Sequence, residues 1–279
     1  MVGNNSEFEK YFTGEFLYGE DFNEIQTKQW FDEETNTNTN IGTKDCSYYS
    51  YSYHGINIYH GFKHLLKNKE KIRVLSIGGF YGDELIPKIR EISEIFILEL
   101  PNFKLPNPNI NPVQKNVKIT YLEAVPSGKI PVENESIDLI TCFITLHHLP
   151  KLKPTLNEIN RSLKPKGIVM IREPIESLGD WRKYRKGLTK NERGIPIKIL
   201  RNAILKSNFS ILYERLCFFT PNSCLIGSLK IQLYNSIFFA FLDDLVCNYF
   251  PWKIRYHPKN LLQKIQPSCV FYILQKKQG

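Results

Sequence analysis

The stretch Val74-Leu75-Ser76-Ile77-Gly78-Gly79-Phe80-Tyr81-Gly82-Asp83-Glu84 constrains this chain more than any other. A β-branched and aliphatic run stops at two glycines, a third glycine follows, and two acids open the next segment. The pattern predicts strand, tight turn, helix. Glycine lets backbone come close to a ligand where a Cβ would collide. Such a turn also leaves the N–H groups of a helix N-terminus facing the crevice at the sheet's carboxyl edge, where open α/β folds bind nucleotides.

The segments that follow keep alternating. A helix is expected over Leu85 to Ile92, then a buried strand over Ile95 to Leu100 that ends in one acid, Glu99. Glu99 lies 21 residues after Gly78. That is close to the roughly 20 residues at which a second-strand acid reaches ribose hydroxyls. A Pro/Asn-rich loop, Pro101 to Pro112, leads to a third strand at Val117 to Leu122. A fourth is expected at Ile137 to Ile144, with Leu146-His147-His148-Leu149-Pro150 at its carboxyl end. A helix carrying Leu156, Ile159 and Leu163 on one face is broken by Lys164-Pro165-Lys166-Gly167. A fifth strand, Ile168 to Ile171, ends in Arg172-Glu173-Pro174. Strands alternating with helices predict a doubly wound, mainly parallel α/β sheet.

The flanks are less regular. Asp21 is a candidate cap for a helix through Ile25 and Trp30-Phe31, and Thr35 to Asn40 reads as a polar surface loop. Tyr48 to His54 is rich in tyrosine and suits either a ligand entrance or a half-buried packing segment. Ile58 to Leu66 reads as a helix leading into the first strand. Phe209 to Phe219 and Val270 to Leu274 read as the last two strands. Between them, Leu225 to Phe250 is apolar but interrupted by Lys230, Asp243 and Asp244, too polar for a membrane-spanning helix. It is expected to be a buried helical lid, with a helix lying on a membrane surface as the alternative. The domain expectation is an N-terminal cap over 1–68 and one α/β domain over 69–279, with the helical insertion at about 225–262.

Charge divides the chain. Residues 1–150 hold 14 Lys and Arg against 20 Asp and Glu, whereas residues 151–279 hold 23 against 8. A basic second half suits an anionic partner, such as phosphate, nucleotide-sugar, nucleic acid or an anionic membrane; a solvated basic face explains it equally well. The six cysteines form no Cys-x-x-Cys and suggest reduced thiols. The N-terminus lacks the basic and apolar regions of a signal peptide, so a cytoplasmic protein is expected.

In their order, these motifs resemble the class I S-adenosylmethionine-dependent methyltransferases over residues 70–175. Gly78, Gly79 and Gly82 stand where that family's turn holds the methionine moiety, and Glu99 stands at its ribose acid. The resemblance implies a seven-stranded sheet, S-adenosylmethionine as cofactor, and a cofactor site that includes Cys142 at strand four. This chain has Ser76 where the family usually has an acid, and Phe80 where a small residue is usual. Asp83 and Glu84 are the expected substitutes for that acid. A narrower resemblance is to bacterial methyltransferases of polysaccharide biosynthesis. It rests on Arg172 to Ile175, Gly179 to Arg182, Gly187 to Pro196, Arg255 to Pro258 and Gln266 to Tyr272. It implies a sugar or glycan precursor as acceptor.

A sugar hydroxyl needs a base to become a nucleophile at neutral pH. His147 or His148 is the expected base, with Glu173 orienting it or binding acceptor hydroxyls; packing or capping is the competing role for the pair. Asp180 and Arg182 are candidate acceptor contacts. No metal site is expected, since adjacent histidines suit a single ion poorly. Two other classes remain: an RNA methyltransferase, suggested by the basic half, and a binding module that keeps the fold without turnover, suggested by Ser76 and Phe80.

Overall fold

The computed structural model describes residues 5–41, 51–65, 71–102, 113, 117–221 and 232–277. Tyr48 and Tyr49, most of the Pro101 to Pro112 loop and the start of the 225–250 segment lie outside these residues.

Seven strands form one sheet: β1 Ile72–Ile77, β2 Ile92–Glu99, β3 Lys118–Glu123, β4 Ile137–Phe143, β5 Leu163–Pro174, β6 Phe209–Phe219 and β7 Pro267–Lys276. Their spatial order is β3-β2-β1-β4-β5-β7-β6. The first five run parallel, and β7 is inserted antiparallel between β5 and β6. The strand order reverses between β1 and β4, and there the carboxyl edge opens a crevice.

Both faces are covered, so the strands read as continuous apolar runs. Successive side chains point to opposite faces. Leu75, Ile140 and Tyr272 join one buried cluster, with Leu156 of α4 (Leu152–Ser162) and Leu200 of α5 (Ile197–Lys206). Val74, Leu139 and Phe271 join the other, with Ile56 of α3 (His54–His60) and Ala240 of α6 (Ile237–Tyr249).

Three expectations change. Asp83–Glu91 is a 3-10 helix; Pro87 inside it lacks an N–H and cannot sustain an α-helical ladder. The polar run at Thr35 to Asn40 is helical: α2 spans Glu24–Ile41 and follows α1 (Asn5–Phe12). The hydroxyls of Thr35 and Thr37 donate back to the carbonyls of Phe31 and Glu33, at 2.9 and 2.8 Å, which satisfies them within the helix. Trp30, Glu34 and Thr35 bury one face of it. Asn23, not Asp21, caps it, by a reciprocal pair with Gln26 at 2.9 and 3.0 Å.

The 225–250 expectation also shifts. The inner face of α6 packs on β6 and α3. Its Asp243 is buried and accepts from the N–H groups of Phe218 and Phe219 at 2.8 and 3.0 Å. No residue of α6 lines the crevice, which is covered by α2 instead. No described helix is long and apolar enough to cross a membrane.

Candidate active site

A cavity of about 510 Å³ lies at the carboxyl ends of β1 to β4. Its floor is Ile77, Gly78 and Phe80, one wall is Leu98 to Asn102, and a second is Ala124 to Lys129. Ile144, Thr145 and His148 to Lys151 form a third wall, and α2 closes it with Trp30, Phe31 and Glu34. The volume is within the roughly 300–1,000 Å³ of small-molecule sites.

The glycine turn is tight for identifiable reasons. Gly78 sits at φ +69°, and a Cβ there would stand 2.7 Å from Thr145 Cγ2. Thr145 is held in place because its hydroxyl donates to the Ile77 carbonyl at 3.0 Å. Gly82, at φ +74°, caps the 3-10 helix from the left-handed region. Phe80 also lies there, at φ +53°, a conformation that glycine adopts freely and phenylalanine does not. Its N–H donates to Glu99 Oε1 at 2.7 Å, which offsets part of that strain.

Glu99 therefore lines the cavity from the end of β2, beside the turn. Burial pushes its carboxyl up to about 7. Glu84 has a different place from the expected one. It is buried off the cavity wall, and burial pushes it up to about 7. Its carboxyl pairs with the Ser76 hydroxyl and accepts from Thr141 Oγ1 at 3.2 Å. A short serine at the end of β1 leaves room for this acid to fold back under the turn. Asp83 stands half-buried in the first turn of the 3-10 helix and does not line the cavity either. Cys142 is fully buried in the sheet core, its thiol raised well above the ordinary range by burial.

The histidine pair divides. His147 is fully buried and off the cavity wall. Its Nδ1 lies 2.8 Å from Glu173 Oε2 and its Nε2 3.4 Å from Glu192 Oε1. Burial alone would favour the neutral ring, but Glu173 and then Glu192 outweigh it and push His147 up to about 9. An imidazolium at neutral pH has no lone pair to take a proton. Glu173 is buried too, and its Oε1 accepts the N–H groups of Thr145 and Leu146, both at 2.8 Å. It is thus the anchor of the 145–148 turn, a role that leaves it no surface in the cavity. His148 does line the cavity. Its Nδ1 lies 3.0 Å from Glu34 Oε2, and Glu34 is fixed by the Thr189 hydroxyl at 2.8 Å. Asp180 and Arg182 pair with each other at 2.8 Å beside Glu9 of α1 and are absent from the cavity wall.

Sequence reasoning missed Thr145, the 124–129 wall and the whole contribution of α2. Only Trp30 and Glu34, four apart on one helical face, carried a signal for the last.

A mainly parallel sheet of this order, with a glycine turn and a carboxylate at adjoining strand ends, is the architecture of nucleotide-cofactor-binding α/β proteins. A family model described as "Methyltransferase domain" matches residues 57–216, more than half of the chain, and the chain belongs to that family. Membership implies S-adenosylmethionine as the cofactor. No curated protein matches. Among solved structures, the chain is similar to a chain of the Haloferax volcanii complex between the Trm112 methyltransferase activator and a methyltransferase. That match has 11% identity, covers 90% of this chain and 97% of that one, and has a TM-score of 0.50. Others are S-adenosylmethionine-dependent methyltransferases from Mesorhizobium loti (13% identity, 77% and 96% covered, TM-score 0.48) and Aquifex aeolicus (13%, 92% and 100%, 0.47). The likeness to the Haloferax chain is one of fold.

The cavity fits the cofactor. Gly78 lets the turn close against Thr145, where a Cβ would collide, and both line the cavity to which Glu99 presents a carboxyl. Gly78 and Glu99, with Leu100 and Ala124 to Ser127, are the residues that would hold it. Glu99 gives a pH prediction. Ribose hydroxyls donate to a carboxylate, and its ionised form is the better double acceptor. With a carboxyl near 7, binding strengthens as pH rises from 6 to 8, by about tenfold if Glu99 alone titrates. Calorimetry with S-adenosylhomocysteine measures this. A Glu99→Gln variant should bind more weakly and lose most of the pH dependence.

Proposed function

We propose that this protein is an O-methyltransferase acting on a sugar hydroxyl of a glycan or nucleotide-sugar precursor, with His148 as the base. When bound, S-adenosylmethionine supplies an electrophilic methyl group. The observation that carries the reading is the Glu34–His148 pair at the cavity wall. A carboxylate only accepts, so in a neutral ring this pair places the proton on Nδ1 and leaves the lone pair on Nε2. A ring so fixed is oriented for proton removal from a bound hydroxyl. Glu24, Thr27, Ser127 and Lys129 add polar groups to the same walls, which suits a polyhydroxylated acceptor. Trp30 and Phe31 cover the crevice and limit water.

The test has two stages. Calorimetry should show saturable S-adenosylhomocysteine binding, lost in Gly78→Arg. Methyl transfer from labelled donor to a nucleotide-sugar panel should then fall at least about tenfold in His148→Gln, with donor affinity retained. A folded wild type that binds no S-adenosylhomocysteine would move the assignment to a non-catalytic module. Donor binding with unchanged turnover in His148→Gln would remove the histidine from the role of base.

A further inference from the structure

We propose that His147, His148 and Glu192 form a site for a divalent transition-metal ion, Zn²⁺ by its donor set, and that the bound ion silences His148. The site stands whatever acceptor the cavity takes; the silencing rests on the reading of His148 as base.

The first observation is an unpartnered donor. Nε2 of His147 is buried and makes no hydrogen bond. Glu192 Oε1 stands 3.4 Å from it, too far for a charge-assisted bond. That separation is close to the edge of a tetrahedron around zinc, about 3.3 Å for bonds of about 2.0–2.1 Å. One ligand atom from each of His147, His148 and Glu192 lies within 4.8 Å of the other two. Two imidazoles and one carboxylate are a zinc donor set that leaves a fourth position open. Adjacency in sequence spoke against a shared ion. In the fold the two rings tilt by 39° with centroids 4.2 Å apart, and the strap at 189–193 brings the third donor.

The second observation is what lies behind the rings. His147 Nδ1 is 2.8 Å from Glu173 Oε2, and His148 Nδ1 is 3.0 Å from Glu34 Oε2. Glu34 and Glu173 are both buried. Each ring thus has one nitrogen held by a carboxylate and the other to give, the arrangement that orients metal-bound histidines and raises their basicity. Three carboxylates around two imidazoles favour a cation. At neutral pH the His147 proton is that cation, and a metal ion displaces it. Arg193, the buried cation nearby, is directed instead at the carbonyls of Tyr18, His147 and Leu149. His148 lines the cavity and gives the ion a way in. A neutral imidazole has a single in-plane lone pair, so an ion on His148 takes the pair that would accept the acceptor's proton.

The test is calorimetric titration of the full chain with ZnCl₂ in mildly alkaline buffer, beside Glu192→Gln. Glutamine keeps an oxygen for the Thr189 N–H, which Glu192 accepts at 2.9 Å, so its melting temperature should stay near that of the wild type. Wild type should bind one Zn²⁺ per chain, and the variant should bind at least about tenfold more weakly. Co²⁺ in place of Zn²⁺ should give the intense visible absorption of a four-coordinate ion in the wild type alone. Diethyl pyrocarbonate, which acylates neutral imidazole, reads the lone pair without a methyl acceptor. By mass spectrometry, Zn²⁺ should protect His148 at least about fivefold and leave the exposed His64 unprotected. No saturable Zn²⁺ binding to folded wild type, or equal binding to Glu192→Gln, overturns the site. Binding that leaves His148 as reactive as before overturns the silencing. The base assignment fails separately, by unchanged turnover in metal-free His148→Gln.

Discussion

A Gly79→Ala variant is expected to lose S-adenosylhomocysteine binding by at least about 100-fold and to destabilise the fold by about 2–4 kcal/mol. One added methyl group is enough because of what lies beneath it. A Cβ at Gly79 would stand 2.6 Å from Glu84 Oε1, and closer still to the Ser76 hydroxyl. These are the two partners of the buried pair that fills the space under the turn. Neither can swing away, since Ser76 is in the middle of the sheet and Glu84 is enclosed. Relief requires either that the turn lift into the cavity or that a buried carboxyl lose its hydrogen bonds. The first removes the cofactor's floor and the second costs stability. The cost at Gly79 is steric, unlike that at Gly78, where the left-handed backbone adds to it. A double variant, Ser76→Gly with Gly79→Ala, should recover part of both losses, as expected for residues in contact. Full affinity in Gly79→Ala, measured by calorimetry, would mean that the turn does not form the floor of the cofactor site.

An Arg193→Met variant is expected to lower the melting temperature by about 10 °C, from a loss of about 3–5 kcal/mol. Arg193 is fully buried, and burial pushes its guanidinium down to about 10, which leaves it cationic at neutral pH. Its Nε donates to the Tyr18 carbonyl at 2.9 Å, Nη1 to that of His147 at 2.6 Å, and Nη2 to that of Leu149 at 2.9 Å. Its guanidinium also lies 5.0 Å from the Trp30 ring centroid, and Trp30 donates in turn to the His148 carbonyl at 2.6 Å. One side chain thus joins the N-terminal segment, α2 and the turn after β4, which together make two of the cavity's walls. Methionine keeps much of its apolar stem and none of its donors, so these carbonyls would lose their partners. Thermal melts measure the loss. S-adenosylhomocysteine affinity should fall with it, and the segment before β1 should become more sensitive to limited proteolysis. A change of under about 1 kcal/mol would place Arg193 outside the framework.

Part of this protein was legible in the chain itself. Apolar runs broken by glycine, proline and polar clusters report backbone periodicity, and periodicity is local. The strands, the glycine turn and the placing of Glu99 at the end of β2 follow from spacing alone. Which polar groups are buried is not local. His147 and His148 are neighbours in sequence, yet one is closed off between Glu173 and Glu192 and the other meets the cavity. Their partners lie 26 or more residues away, on β5, on the 189–193 strap and on α2. Glu84 read as an acid facing the cofactor and turned inward, because Ser76 left it space and a hydroxyl. Arg193, counted in the basic half and quoted only within the Gly187 to Pro196 stretch, became a buried tie, because four carbonyls from two distant segments converge on it. Sequence alone determined the sheet and the position of its crevice, through hydrophobic pattern and turn chemistry. Only the tertiary structure decided which side chains face the crevice, because a buried polar group is stable only where distant partners satisfy it.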